Sequence, residues 1–114
     1  MKPMKIFLTA ALLAGWFPLH AQDGPKVIPI AAKRFVYTPN EVHLKQGETV
    51  TLVLTSGDVT HGMLCRPLKI DTDIPPGQET RITVTPDKAG EFTAICNHFC
   101  GSGHGNMKMK FIVE

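Results

Sequence analysis

The chain has 114 residues, with 12 Lys plus Arg against 10 Asp plus Glu, which leaves room for one small domain and excludes a multidomain enzyme. Hydrophobic residues make up 43% and charged residues 19%, which excludes a disordered or collagen-like chain. Because no basic cluster is longer than Lys33-Arg34, a nucleic-acid partner is disfavoured.

The first 21 residues have the organisation of a secretory signal. Two lysines precede an apolar run from Ile6 to Phe17, and the segment up to Ala21 completes the pattern. This run is shorter than the roughly 20 residues of a transmembrane helix, and no Cys follows that could carry a lipid. We therefore expect residues 1–21 to be a signal peptide, with a periplasmic product that has no stable membrane insertion.

After a flexible leader, residues 22–26, the chain consists of short segments with β-strand character. Apolar and polar residues alternate in most segments, and turn residues such as Pro75-Pro76-Gly77 separate them. The predicted strands are 27–35, 41–45, 49–55, 80–85, 91–96 and 107–113. Strands of this length and spacing predict an antiparallel sandwich or barrel, formed by one all-β domain over residues 27–114.

All three cysteines follow the predicted signal, where the compartment is oxidising. An odd number of cysteines cannot pair fully within one chain. At least one thiol must therefore be free, bind a metal or pair with another chain.

The segment from residue 96 to residue 107 carries most of the reactive side chains. Two thiols, two imidazoles and a thioether fall within it: Cys96, His98, Cys100, His104 and Met107. Interspersed glycines let such a loop fold tightly, and His61 at the start of an earlier strand could complete a site. Soft ligands of this kind select copper or zinc over magnesium or calcium.

The residues alone leave several kinds of site open. Cys96 and Cys100 could form a disulfide or, with His61 and His104, a zinc site. A mononuclear blue-copper site could use Cys100, His104, His61 and Met107, which would leave Cys96 without a role. Met107 by itself also suits a plain core position.

From Cys96 to Met107 the chain has the spacing Cys-x3-Cys-x3-His-x2-Met, and upstream it has an Asp-Val-x-His that ends at His61. Together these motifs resemble the binuclear copper (CuA) cupredoxin domain. That domain occurs in cytochrome c oxidase subunit II and at the end of nitrous oxide reductase. The resemblance covers roughly residues 27–114 and implies a Greek-key cupredoxin sandwich or barrel.

The resemblance further implies a centre of two copper ions. Its ligands would be two bridging thiolates, two terminal imidazoles and two weak donors, namely Cys96 and Cys100, His61 and His104, and the Met107 thioether with the His98 backbone carbonyl. Oxidase members usually carry an acidic residue where this chain has His98, so only the carbonyl role is carried over.

The implied function is transfer of single electrons between periplasmic redox partners, such as c-type cytochromes or a terminal reductase. We expect no enzyme activity, because the family's site has no open position for a substrate. The alternative is a periplasmic copper-binding protein that stores copper or delivers it to an oxidase or reductase. A weaker third reading is a zinc- or disulfide-stabilised sandwich used for binding.

Two further residues have simple predicted roles. Cys65 would share a strand face with His61 and Met63, and we expect a buried core thiol rather than one that helps to load copper. His43 alternates out of phase with its apolar neighbours, which predicts a solvent-facing position.

Overall fold

The computed structural model describes residues 25–98 and 106–114. Within these ranges the chain forms nine β-strands and one short 3₁₀ helix, Arg66–Leu68. The strands are β1 Lys26–Lys33, β2 Val36–Thr38, β3 Glu41–Leu44, β4 Val50–Ser56, β5 His61–Cys65, β6 Ile70–Ile74, β7 Thr80–Val84, β8 Gly90–Ile95 and β9 Lys108–Val113.

The strands form two sheets. One has the order β2-β1-β4-β7 and the other the order β3-β9-β8-β5-β6. The predicted all-β sandwich is thus confirmed, but an entirely antiparallel arrangement is wrong, because β1 pairs with β4 and β3 pairs with β9 in parallel. Alternation along a strand identifies its buried face but carries no information on the direction of its neighbour.

The core lies between the two sheets and is built from the alternating residues. In β4, Val50, Leu52 and Leu54 are fully buried. Across the sandwich, Met109 and Phe111 of β9 are buried in the same cluster. β9 therefore turns alternate side chains inward, as the apolar spacing in the sequence predicted, and β4 does the same with Val53 buried in addition.

The predicted strand ranges did not include β2, β5 or β6, although the expectation that His61 begins a strand is confirmed by β5. β5 and β6 form a hairpin in which His61 pairs with Ile74 and Cys65 pairs with Ile70. The short 3₁₀ helix joins them, and Lys69 after it adopts the left-handed conformation with φ 60°. This hairpin makes His61 the first residue of a strand in the five-stranded sheet.

The connection between β8 and β9 leaves the sheet at one end. These strands pair from Gly90 with Val113 to Ile95 with Lys108, so residues 96–107 follow the last pair. β5 is the other neighbour of β8, with Leu64 opposite Ile95. The antiparallel direction of β5 places its first residue, His61, towards the end where residues 96–107 begin.

The described part of the chain contains no helix long and apolar enough to cross a membrane. The predicted signal, 1–21, and most of the predicted leader lie outside the described residues. β1 already begins at Lys26, the last residue of that leader.

Candidate metal centre

His61 is the only buried polar or charged side chain among the described residues, with no exposed surface. Its Nε2 lies 2.7 Å from Oδ1 of Asp58, in the turn before β5. An imidazole completely removed from water needs hydrogen-bond partners or a metal. The ring of His61 is therefore held in one orientation by a carboxylate three residues earlier.

Asp58 is itself fixed by the backbone. Its Oδ2 accepts a hydrogen bond from the N–H of Arg34 at 2.9 Å, and its Oδ1 accepts one from the N–H of Val59 at 2.7 Å. Burial opposes ionisation of this carboxyl, but the hydrogen bonds from Arg34, His61 and Val59 outweigh it and lower its pKa to about 2. Asp58 is thus an anchored carboxylate at neutral pH.

The other ring nitrogen of His61 is the informative atom. Nδ1 is buried and has no hydrogen-bond partner among the described residues. An ionised carboxylate can only accept, so Nε2 carries the hydrogen and the Nδ1 of a neutral ring carries a lone pair. A buried nitrogen lone pair on a ring oriented by a carboxylate is the usual form of a histidine that binds a metal.

Cys96 and Met107 lie side by side at the end of the β8–β9 pair. The N–H of Cys96 donates to the carbonyl of Met107 at 3.1 Å, and the two residues are 4% and 1% exposed. The Sγ of Cys96 lies 3.1 Å from the carbonyl oxygen of His98. The structure therefore brings together a thiol, a thioether-bearing residue and the backbone carbonyl that the family resemblance implied as a weak ligand.

The start of β5 touches the segment that follows β8. A Cβ atom added to Gly62 would overlap with Oδ1 of Asn97 and lie 3.3 Å from the Cβ of His98. Continuing the β5–β8 register from the Leu64–Ile95 pair also places His61 and His98 opposite one another. His61 and the residues after β8 thus occupy the same end of the five-stranded sheet.

The remaining predicted ligands cannot be placed in this arrangement. Cys100 and His104 lie in 99–105, outside the described residues. Within 25–98 and 106–114, no three His, Cys, Asp or Glu side chains converge into a metal-binding group. The His98 side chain is exposed, and its role as a carbonyl donor stays a prediction.

Two predictions outside the site agree with the structure. Cys65 is a free thiol with 2% exposure, and burial raises its pKa despite a hydrogen bond from the backbone of Leu68. It packs with Met63 in the core cluster. The side chain of His43 is 56% exposed and lies 3.0 Å from Glu41, on a strand that contributes nothing to this site.

Sequence reasoning missed the residues that hold the site in place. Asp58 was treated only as part of a motif, although its position three residues before a histidine could have indicated a supporting carboxylate. Asn97 carried no signal at all. Its Nδ2 donates to Oδ1 of Asp71 at 2.8 Å, a contact that depends on β6, which was not predicted.

The chain belongs to the cupredoxin-like domain family, whose model matches residues 5–113. Among its relatives is cytochrome c oxidase subunit 2 of Thermus thermophilus, 34% identical over 95 residues, covering 82% of this chain and 70% of the relative. Nitrous-oxide reductase of Cupriavidus necator is 33% identical over 112 residues, covering 86% of this chain and 17% of that enzyme. The resemblance to these two kinds of protein is thereby confirmed.

The fold is also similar to that of an oxidase subunit. The periplasmic domain of subunit II of cytochrome oxidase from Bradyrhizobium japonicum superposes with a TM-score of 0.72, at 18% identity, over 78% of this chain and 83% of the other. At that identity the likeness concerns the fold alone. The chain spans only a small part of the reductase but most of the oxidase subunit from Thermus thermophilus.

Proposed function

We propose that this chain is an exported copper protein that carries single electrons between periplasmic redox partners through a binuclear, CuA-like centre. The observation that carries the proposal is the buried ring of His61, whose Nε2 is tied to Asp58 and whose Nδ1 has no partner among the described residues. Leaving a buried polar atom without a partner costs about 1–3 kcal/mol, which a metal bond would offset.

The residues that would hold the metal are those of the family motif. Thiolates of Cys96 and Cys100 and imidazoles of His61 and His104 would be the main ligands, with Met107 and the His98 carbonyl as weak ones. This donor set is soft, which favours copper over hard cations. Bound copper would supply a one-electron couple.

The protein contributes rigidity and exclusion of water. His61, Cys96 and Met107 have at most 4% exposure. His61 begins β5, Cys96 directly follows β8 and Met107 directly precedes β9, and Asp58 fixes the imidazole. Ligands held by the sheets need little rearrangement when the metal gains or loses an electron, which keeps the barrier to electron transfer low.

Membership of the cupredoxin-like family and the relation to an oxidase subunit and to nitrous-oxide reductase support copper as the metal. The proposed periplasmic location has two supports. Subunit II of Bradyrhizobium japonicum has its domain in the periplasm, and the signal-like residues 1–21 fit export to that compartment. We propose c-type cytochromes or a terminal reductase as partners, and no enzyme activity of the chain by itself.

The deciding experiment is metal analysis and electron paramagnetic resonance of the copper-loaded protein. We expect two coppers per chain and a mixed-valence signal that Cys96→Ser abolishes. His43→Ala is the matched control, since this exposed histidine lies away from the site, and it should leave the signal unchanged. One copper per chain, or zinc alone, would refute the binuclear centre.

A second measurement separates an electron carrier from a protein that stores or delivers copper. The reduced and reoxidised protein should keep both coppers when mixed with an excess of a copper-free acceptor domain. Transfer of copper to the acceptor would favour delivery instead.

A further inference from the structure

Asn97 connects the segment after β8 to the far side of β5. Its Nδ2 donates to Oδ1 of Asp71 on β6 at 2.8 Å. In the sheet β5 lies between β8 and β6. The side chain of Asn97 must therefore cross β5 to reach its acceptor.

Gly62 makes this crossing possible. The Oδ1 of Asn97 occupies the place that a Cβ of residue 62 would take, and the Asn97 Cγ would lie 3.2 Å from that Cβ. Gly62 is fully embedded in β5 and pairs with Asp73 of β6. Close approach of another side chain is what requires glycine at this position.

The same segment is held from its other side by β9. The N–H of Cys96 donates to the carbonyl of Met107, next to Lys108, where β9 begins. Cys96 is thus tied to β9, and its neighbour Asn97 is tied to β6. These two hydrogen bonds hold the first two residues of the stretch from Cys96 to His98, which contains one predicted thiolate ligand and one predicted carbonyl ligand.

We infer that Asp71, acting through Asn97, is a positioning residue for the proposed copper centre. The Asp71–Asn97 bond, placed over Gly62, fixes the backbone between Cys96 and His98 before any metal binds. Because these donors are already ordered in the metal-free chain, less conformational entropy is lost when the metal binds. The part that concerns copper rests on the proposed function, whereas the ordering of the metal-free chain does not.

The first test uses metal-free protein. Backbone hydrogen exchange of Asn97 and His98 is compared in wild type, Asp71→Ala and the control Asp73→Ala, which removes another exposed carboxylate from the same strand. We expect exchange about fivefold faster in Asp71→Ala, the effect of one hydrogen bond at an exposed site, and no change in Asp73→Ala. Asp71→Asn keeps an oxygen acceptor and should restore the wild-type rate.

The second test measures copper release to an excess of chelator, followed by the thiolate-to-copper absorption. Release from Asp71→Ala should be about fivefold faster than from wild type, with Asp73→Ala and Asp71→Asn unchanged. Gly62→Ala, which displaces Asn97, should also accelerate release. Its control is Gly57→Ala, where the nearest atoms lie 3.9 Å from the added Cβ.

The outcomes are distinct. If Asp71→Ala matches Asp73→Ala in hydrogen exchange or in copper release, the inference is wrong. If wild type binds no copper, the proposed function fails, and hydrogen exchange alone then decides whether Asp71 orders the segment. Faster exchange and faster release that are both reversed in Asp71→Asn establish Asp71 as a positioning residue, since general damage to the fold would not be rescued by an acceptor.

Discussion

Replacing Asp58 with alanine is the most direct test of how the protein prepares His61. The carboxylate accepts hydrogen bonds from the His61 ring and from the backbone N–H groups of Arg34 and Val59. In Asp58→Ala all three donors lose this partner. The ring also loses the interaction that selects which nitrogen carries the hydrogen.

The magnitude follows from the surroundings of each donor. The His61 side chain has no exposed surface, so its Nε2–H would be left buried without an acceptor, at a cost of about 1–3 kcal/mol. The Asp58 side chain is 29% exposed, so water can reach the vacated position, which favours the lower half of that range. Water can also serve the two backbone groups. We expect the metal-free protein to lose about 1–2 kcal/mol of stability. We also expect copper affinity to fall tenfold to hundredfold, as is typical when a ligand loses its supporting partner, which corresponds to roughly 1.4–2.8 kcal/mol of binding free energy.

Urea denaturation of the metal-free protein and competition titration with a copper chelator measure the two effects. Asp87→Ala is the matched control, because Asp87 is an exposed carboxylate in the turn before β8, at the opposite end of that strand from the site. If Asp58→Ala equals Asp87→Ala in both stability and affinity, the carboxylate does not orient His61 and the reasoning fails.

Four further predictions concern Met107, the cysteines and Tyr37. Met107→Leu should keep both coppers and raise the reduction potential, because a weak donor to the oxidised metal is lost. The free energy of unfolding should change by less than about 1.5 kcal/mol. An unchanged potential would leave Met107 a plain core residue. Cys65→Ala should cost about 1 kcal/mol in urea denaturation through a small cavity and leave the copper spectrum intact. Mass mapping of oxidised metal-free protein should find Cys65 reduced and Cys96 joined to Cys100; a bridge to Cys65 would instead favour copper delivery. Tyr37→Phe removes a buried hydroxyl that donates a hydrogen bond to the backbone carbonyl of Gly62, and should destabilise the protein by about 1–2 kcal/mol. A smaller change in urea denaturation would show that water replaces this hydrogen bond.

The alternating segments of the sequence predicted six strands because one face of each is buried. β6 was not predicted because it reads Ile-Asp-Thr-Asp-Ile, and its two aspartates disfavour a strand. β5 was anticipated only through His61 at its start, because a glycine in second place weakens the strand pattern. Tertiary pairing overrides those preferences. Ile70 and Ile74 are buried while Asp71 and Asp73 point outward, so β6 does follow the period of two.

The sequence likewise predicted one part of the candidate site, the ligand candidates, but not the contacts that support them. Ligand candidates such as His61, Cys96 and Met107 could be named from the sequence, because metal chemistry restricts residue types and spacing. Their assignment as copper ligands stays a prediction, and Cys100 and His104 fall outside the described residues. The supporting contacts of Asp58 and Asn97 could not be predicted, since they depend on how the turn before β5 packs and on which strands adjoin β8.

The parallel pairing of β3 with β9 affects how the protein folds. Glu41 pairs with Lys110 and Leu44 pairs with Val113, so β3 can pair with β9 only after the intervening strands have been made. Pairings between such distant parts of a chain form slowly, because a long loop must close before any contact stabilises it. β9 also closes the segment that begins at Cys96, through the hydrogen bond to Met107. We therefore expect the thiols of Cys65 and Cys96, which are buried in the folded domain, to stay accessible to oxidants, reductants and metal donors until β9 inserts between β3 and β8.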